Sequence, residues 1–220
     1  MTHDLTRGHV FIVDPDPRNR SACRSLLSSL GYSISEYATG SAFLDAVDPS
    51  PPGCVVLEGE LGDMSGADVQ SRLTAIGSPI AVVFVTRQGD VSSAVASIRA
   101  GALHYLLKPV REQQLLDIVN RALRHSVEEA VRARSRRQIV AHLASLTARE
   151  RQVLAQLIDG AQYDRVSSEL GITKRTVEAH RRRIMEKMGA RSLPQLMDQL
   201  SQVGWPRLPP APPANTPLPH

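Results

Sequence analysis

Five short strand candidates, each followed by a helical pattern, confine the first 125 residues to a narrow set of folds. HVFIV (9–13), CVVL (54–57), IAVVFVT (80–86) and LHYLL (103–107) are apolar runs, and YSISEY (32–37) alternates like a strand. Strands that read as continuous apolar segments are buried on both faces. Strands alternating with helices imply parallel crossovers and a doubly wound sheet. The intervening helices carry local start signals. Asp16 precedes Pro17, a cap followed by the residue best suited to a first helical position, and that helix is expected to reach Leu30. Ser65 and Asp68 have capping-box spacing. Asp90 opens the helical stretch 90–100, and Gly101 ends it.

The second half has a different texture. Residues 126–145 lack Pro and Gly, are rich in Ala and Arg, and read as an extension of the helix that starts near 111. From 146 to 203 every pattern is helical. Thr147 and Glu150 form another capping box, and Gly160 follows the helix they open. A short helix at about 162–169 leads through the turn ELGIT into a long helix, Lys174 to Met188, and SLPQLMDQLSQV forms the last one. A short helix, a glycine turn and a basic helix make a helix-turn-helix pattern. The last fifteen residues contain seven prolines and are expected to form an extended tail.

The expected organisation is therefore 1–125 as an α/β domain, 126–142 as a helical linker, 143–204 as a four-helix domain and 205–220 as a tail. Charge follows this division. Residues 1–125 carry 11 basic and 13 acidic side chains, whereas residues 146–220 carry 11 and 7. A polyanionic partner would thus meet the C-terminal part. No stretch approaches the apolar length of a membrane span, and the N-terminus does not read as a signal peptide. Cys23 and Cys54 form no C-x-x-C motif, which fits two reduced thiols and a cytoplasmic location better than a disulfide framework or zinc site.

Within the long basic helix, Val177, Ile184 and Met188 recur on one stripe, with His180 between them. This stripe is expected to pack on the other helices. Arg175, Glu178, Ala179, Arg182 and Glu186 occupy a neighbouring face that suits the major groove. Arg182 can donate two bonds to guanine, Glu178 can accept one from cytosine, and Ala179 can touch a thymine methyl. Lys174, Arg175, Arg181, Arg183 and Lys187 are expected to meet phosphates, with Thr176 at the start of the helix.

At this point the segment LTARERQVLAQLIDG…ELGITKRTVEAHRRRIMEKMGARSLPQL resembles the LuxR-type DNA-binding domain of the FixJ/NarL regulators, over about residues 143–202. The resemblance implies that the long helix reads double-stranded DNA and that the protein pairs as a homodimer. One departure is Tyr163-Asp164-Arg165, where the family usually has Asn-Lys-Glu. Asp164 puts an anion where a phosphate-contacting lysine is expected.

The front half resembles a CheY-like receiver through FIVDPDPRNR, CVVLEGELGDMSG, VFVT and HYLLKPV. The resemblance implies a pocket of Asp14, Asp16, the acceptor position Glu58, Thr86, the aromatic switch position Tyr105, and Lys108. It also implies magnesium and a histidine kinase in conventional members. Here the second acid falls on Pro15 and the acceptor aspartate on Glu58, with Met64-Ser65-Gly66 setting that register. The reading is a transcription regulator, not an enzyme, with a degenerate receiver that needs no aspartyl phosphorylation and no cofactor. Two alternatives stay open: a conventional magnesium-dependent regulator served by a kinase, and a regulator acting mainly through protein contacts.

Overall fold

A computed structural model describes residues 8–87 and 89–205 of the chain. The chain separates into two compact units, Met1–Ala133 and Arg134–His220. The proline-rich segment 206–220 lies outside the described residues, as do residues 1–7.

The N-terminal unit contains β1 (His9–Val13), α1 (Pro17–Ser28), β2 (Ser33–Tyr37), α2 (Gly40–Ala46), β3 (Cys54–Leu57), α3 (Gly66–Ala75), β4 (Ala81–Thr86), α4 (Val91–Arg99) and β5 (His104–Leu107). The strands form one all-parallel sheet in the order β2-β1-β3-β4-β5. Because side chains alternate along a strand, the apolar runs supply two cores at once. Val10, Ile12, Cys54, Val56, Val83 and Val85 face one cluster with Leu27, Leu115 and Val119. Val13, Val55, Leu57, Val82 and Phe84 face the other with Phe43, Val69 and Leu73.

The local start signals act as expected. The Asp16 side chain accepts from the Arg18 N–H, and the boxes Ser65/Asp68 and Thr147/Glu150 are both closed. Helix α1 stops at Ser28, short of the expected Leu30, because the chain turns through residues 29–31 and Gly31 takes a positive φ of 83°. Helix α5 (Glu112–Ala144) is one continuous 33-residue helix. Ser126 on it is buried in the N-terminal unit, accepting from Gly53 N and donating to Pro79 O. Ile139 and Leu143 belong to the core of the C-terminal unit. No helix among the described residues is long and apolar enough to cross a membrane.

The C-terminal unit adds α6 (Ala148–Ile158), α7 (Tyr163–Leu170), α8 (Lys174–Met188) and α9 (Leu193–Gln202). Gly171 ends α7 at φ 62°, a left-handed conformation that glycine adopts without penalty. Thr173 then caps α8 by accepting from Thr176 N. Val177, Ile184 and Met188 are fully buried against Val153, Leu154, Leu157, Val166, Leu196 and Leu200. The aliphatic stripe is what fixes α8 in the unit and turns its other faces outward.

Candidate functional site

In the N-terminal unit the sheet order brings the ends of β1, β3, β4 and β5 side by side, and each is followed by, or ends in, a polar residue. These are Asp14, Glu58, Thr86 and Lys108. In parallel α/β sheets this carboxyl edge is where ligands and chemistry collect. Asp14, Glu58 and Thr86 are buried there. Lys108 Nζ bridges the two acids, at 2.5 Å from Asp14 Oδ2 and 2.6 Å from Glu58 Oε2. The other Glu58 oxygen accepts from Gly59 N at 2.8 Å, and Thr86 also bonds the carboxylate. Asp14 Oδ1 accepts from Asp16 N at 2.8 Å, and Asn19 Nδ2 reaches Oδ2 at 3.2 Å. Arg20 braces the segment by donating to the carbonyls of Asp14 and Pro15 at 2.6 and 3.1 Å.

Burial works to raise the Glu58 carboxyl, but the bonds from Lys108 and Thr86 outweigh it and hold the group below the usual carboxylate value. Burial likewise works against the Lys108 ammonium, and Asp14 and Glu58 reverse the sign, holding it above the usual lysine value. A charge buried in this way is tolerated because it is paired and hydrogen-bonded.

Close packing at Gly66 fixes the loop after β3 against Glu58 and Gly59. The Gly66 N–H donates to Gly59 O at 2.8 Å, and a Cβ on Gly66 would sit 2.6 Å from Glu58 O. Asp63, the nearby acid, points elsewhere. It accepts from Gly40 N and Ser41 N at the start of α2, and those bonds hold its carboxyl down at about 2. Tyr105 stands half-buried, its ring 5.6 Å from Phe84.

A cavity of about 190 Å³ opens over this edge, lined by Asp14, Pro15, Asp16, Glu58, Glu60, Thr86 and Arg87. Magnesium takes near-octahedral oxygen ligands, with protein carboxylates among them. The side chains here do not fit that demand. Pro15 offers none. Asp16 spends one oxygen on Arg18 N and the other on the Arg87 guanidinium. Both carboxylate oxygens of Asp16 are therefore already engaged.

In the C-terminal unit, α8 presents Lys174, Arg175, Glu178, Arg182, Arg183 and Glu186 as exposed side chains. Thr176, Ala179 and Arg181 are half-buried beside them, and the Thr176 hydroxyl is shared with Thr173 at 2.8 Å. Lys174 pairs with Asp164 of α7, so the departure noted at Asp164 acts directly on this helix. A cavity of about 460 Å³ beside α8 is lined by Tyr163, Glu178, Arg181, Arg182, Met185, Ala190 and Arg191.

Lys187, expected at a phosphate, donates to Glu150 Oε2 at 2.7 Å and to Ser145 O at 3.1 Å. Glu150 is buried, and burial would raise its carboxyl; Lys187 and the Thr147 cap bring it below the usual value. Lys187 thus neutralises a buried acid that also closes the capping box of α6. The sequence reading also passed over Arg87 and Arg191. Arg87 had a visible signal, a cation directly after the buried Thr86. Its partner Asp16, however, lies 71 residues away.

Comparison with known proteins matches both halves. Residues 10–120 match the response regulator receiver domain, and residues 144–200 match the bacterial regulatory proteins of the luxR family. The transcriptional regulatory protein FixJ of Bradyrhizobium diazoefficiens is 33% identical over 199 residues, covering 90% of this chain and 97% of that protein. The response regulator protein TodT of Pseudomonas putida is 35% identical over 188 residues, covering 86% and 83%. Among solved structures, the response regulator StyR superposes with a TM-score of 0.74 at 38% identity, covering 88% of this chain and 98% of that one. Full-length FixJ from B. japonicum gives a TM-score of 0.55 at 33% identity, covering 90% and 98%.

Proposed function

This chain belongs to the FixJ-like response regulators with a LuxR-type DNA-binding domain, and from that premise we propose that it regulates transcription without a phosphorylated aspartate. The observation that carries the proposal is the Asp14–Lys108–Glu58 bridge. Glu58 places a permanent carboxylate, one methylene longer than aspartate, on the lysine that would otherwise meet a phosphoryl group. Such a charge-assisted bond is the kind of contact that phosphorylation creates. The pocket thereby imitates part of the phosphorylated state with a fixed charge, and a histidine kinase is not required to set it.

The output is the exposed face of α8 in the major groove of double-stranded DNA. Arg182, Glu178 and Ala179 read bases there, and Lys174, Arg175, Arg181 and Arg183 meet phosphates, with Thr176 at the helix start. The protein works as a cytoplasmic homodimer. A second copy would suit the α4–β5 face, where Val91, Val95, Ile98 and Leu107 are exposed. A second reading, action through another regulator instead of DNA, draws on the Asp164–Lys174 pair, which removes one cation from the DNA face.

Incubation with acetyl phosphate and magnesium, followed by intact-mass measurement, tests the first claim. No mass gain is expected; one phosphate mapped to an acid of this pocket would overturn the reading. Restoring Pro15→Asp together with Glu58→Asp should create labelling. Footprinting on DNA upstream of the protein's own gene tests the second claim, and salt-insensitive or absent protection would favour the protein-contact reading.

A further inference from the structure

Several acids surround the small cavity at the carboxyl edge, among them Asp14, Asp16 and Glu58. Like charges this close repel one another unless cations are placed among them. Lys108 reaches Asp14 and Glu58. Asp16 is matched by Arg87, which reaches it from the end of β4. The guanidinium keeps its charge at every working pH, and its planar fork suits a carboxylate.

We propose that Arg87 takes the electrostatic place of a divalent cation in this pocket and keeps such a cation out. This deepens the reading of the pocket as phosphorylation-independent, and rests on it. Arg87 lines the cavity with 61% of its side chain exposed, so its pair with Asp16 adds little to stability. Its effect on an incoming dication is larger, because the two charges of the ion meet a fixed positive group in the cavity lining and find an Asp16 oxygen already engaged. Pro15 removes one ligand; Arg87 occupies another and repels the ion. Two independent features thus close the same site.

The experiment compares four full-length proteins: wild type, Arg87→Ala, Pro15→Asp and Pro15→Asp/Arg87→Ala. Each is titrated with manganese(II) alone at matched ionic strength, with free ion followed by electron paramagnetic resonance, and with magnesium by its effect on the melting temperature. Wild type is expected to take up no ion saturably and to melt at the same temperature with or without magnesium. Pro15→Asp should bind weakly, and the double variant at least about tenfold more tightly than Pro15→Asp. Pro15→Asp/Arg87→Lys keeps a cation in the lining and should bind no better than Pro15→Asp. Pro15→Asp/Arg87→Gln replaces the double variant if the alanine version fails to fold. Saturable uptake by wild type, or equal affinity with and without Arg87 in the Pro15→Asp background, would overturn the proposal. Acetyl phosphate labelling of wild type without manganese uptake would instead remove the phosphorylation-independent reading and leave the role of Arg87 standing.

Discussion

Lys108 in the N-terminal unit spends its charge on two buried acids, whereas Arg175, Arg182 and Arg183 in the C-terminal unit stand exposed with no ion pair among the described residues. Both regions are built from the same residue types, and their environments give them opposite uses. At the sheet edge, carboxylates and cations are desolvated together and satisfy each other, so that region stores a fixed charge arrangement. On α8, cations are held in water above an aliphatic stripe, so their electrostatic attraction remains available to a polyanion. Lys187 and Lys174 mark the border between these uses: each lies on α8, and each is paired with an acid of a neighbouring helix.

The comparison can be broken most forcefully from beneath the helix. Ile184 is 1% exposed, and Ile184→Ala should cost about 3 kcal/mol of stability in the C-terminal unit. Calorimetry should show that loss together with lost DNA binding, and an unchanged C-terminal transition would refute the packing account. Next comes Lys187→Met, which leaves Glu150 buried without its cation and should cost about 2 kcal/mol. Its DNA affinity, measured where the protein is folded, should fall less than that of Arg183→Ala. A salt slope reduced as much as in Arg183→Ala would put Lys187 on the DNA face.

Arg182→Ala should cost about 1–3 kcal/mol on the preferred operator and relax sequence choice, whereas Arg183→Ala should weaken all sequences alike. Quantitative gel shifts on matched and scrambled duplexes separate the two. Equal losses everywhere for both variants would withdraw base reading from Arg182. A smaller effect lies in the acid pocket. Glu58 is held below its usual value in the folded protein, so its stabilising contribution is present above the unfolded value and is lost as pH falls through the folded one. Lys108 is held above its usual value, so its contribution is present below the unfolded value and is lost as pH rises through the folded one. Melting temperature measured across the carboxylate range should therefore fall with acid, and Glu58→Gln should flatten that slope. Smallest of all, Asp164→Asn releases Lys174 and should tighten DNA binding by about threefold at most.

Local signals made most of the fold legible. Asp16 before Pro17, Ser65 with Asp68, and Thr147 with Glu150 each act within one helical turn, so their spacing alone is enough to place a helix start. The span of α8 was equally readable, because the apolar stripe of Val177, Ile184 and Met188 has helical period. Asp14, Glu58, Thr86 and Lys108 were named through the resemblance to a receiver domain, and each sits at the end of an apolar run. What could not be read was the pairing of charges. Nothing near Lys187 in the chain points to Glu150, 37 residues earlier, or near Arg87 to Asp16. Asp63 follows Glu58 closely in the chain, yet its carboxylate is bound to the start of α2.

Periodicity and capping thus settled, from the chain alone, that a parallel α/β unit precedes a helical unit with one basic helix. Those features depend on a few consecutive residues and on which face of an element is apolar. Tertiary structure decided which cations remain free and which are consumed, because Coulombic partners are chosen by distance in space and by the water removed around them. Only the sheet order brings Lys108 between Asp14 and Glu58, and only the packing of α8 on α6 gives Lys187 to Glu150.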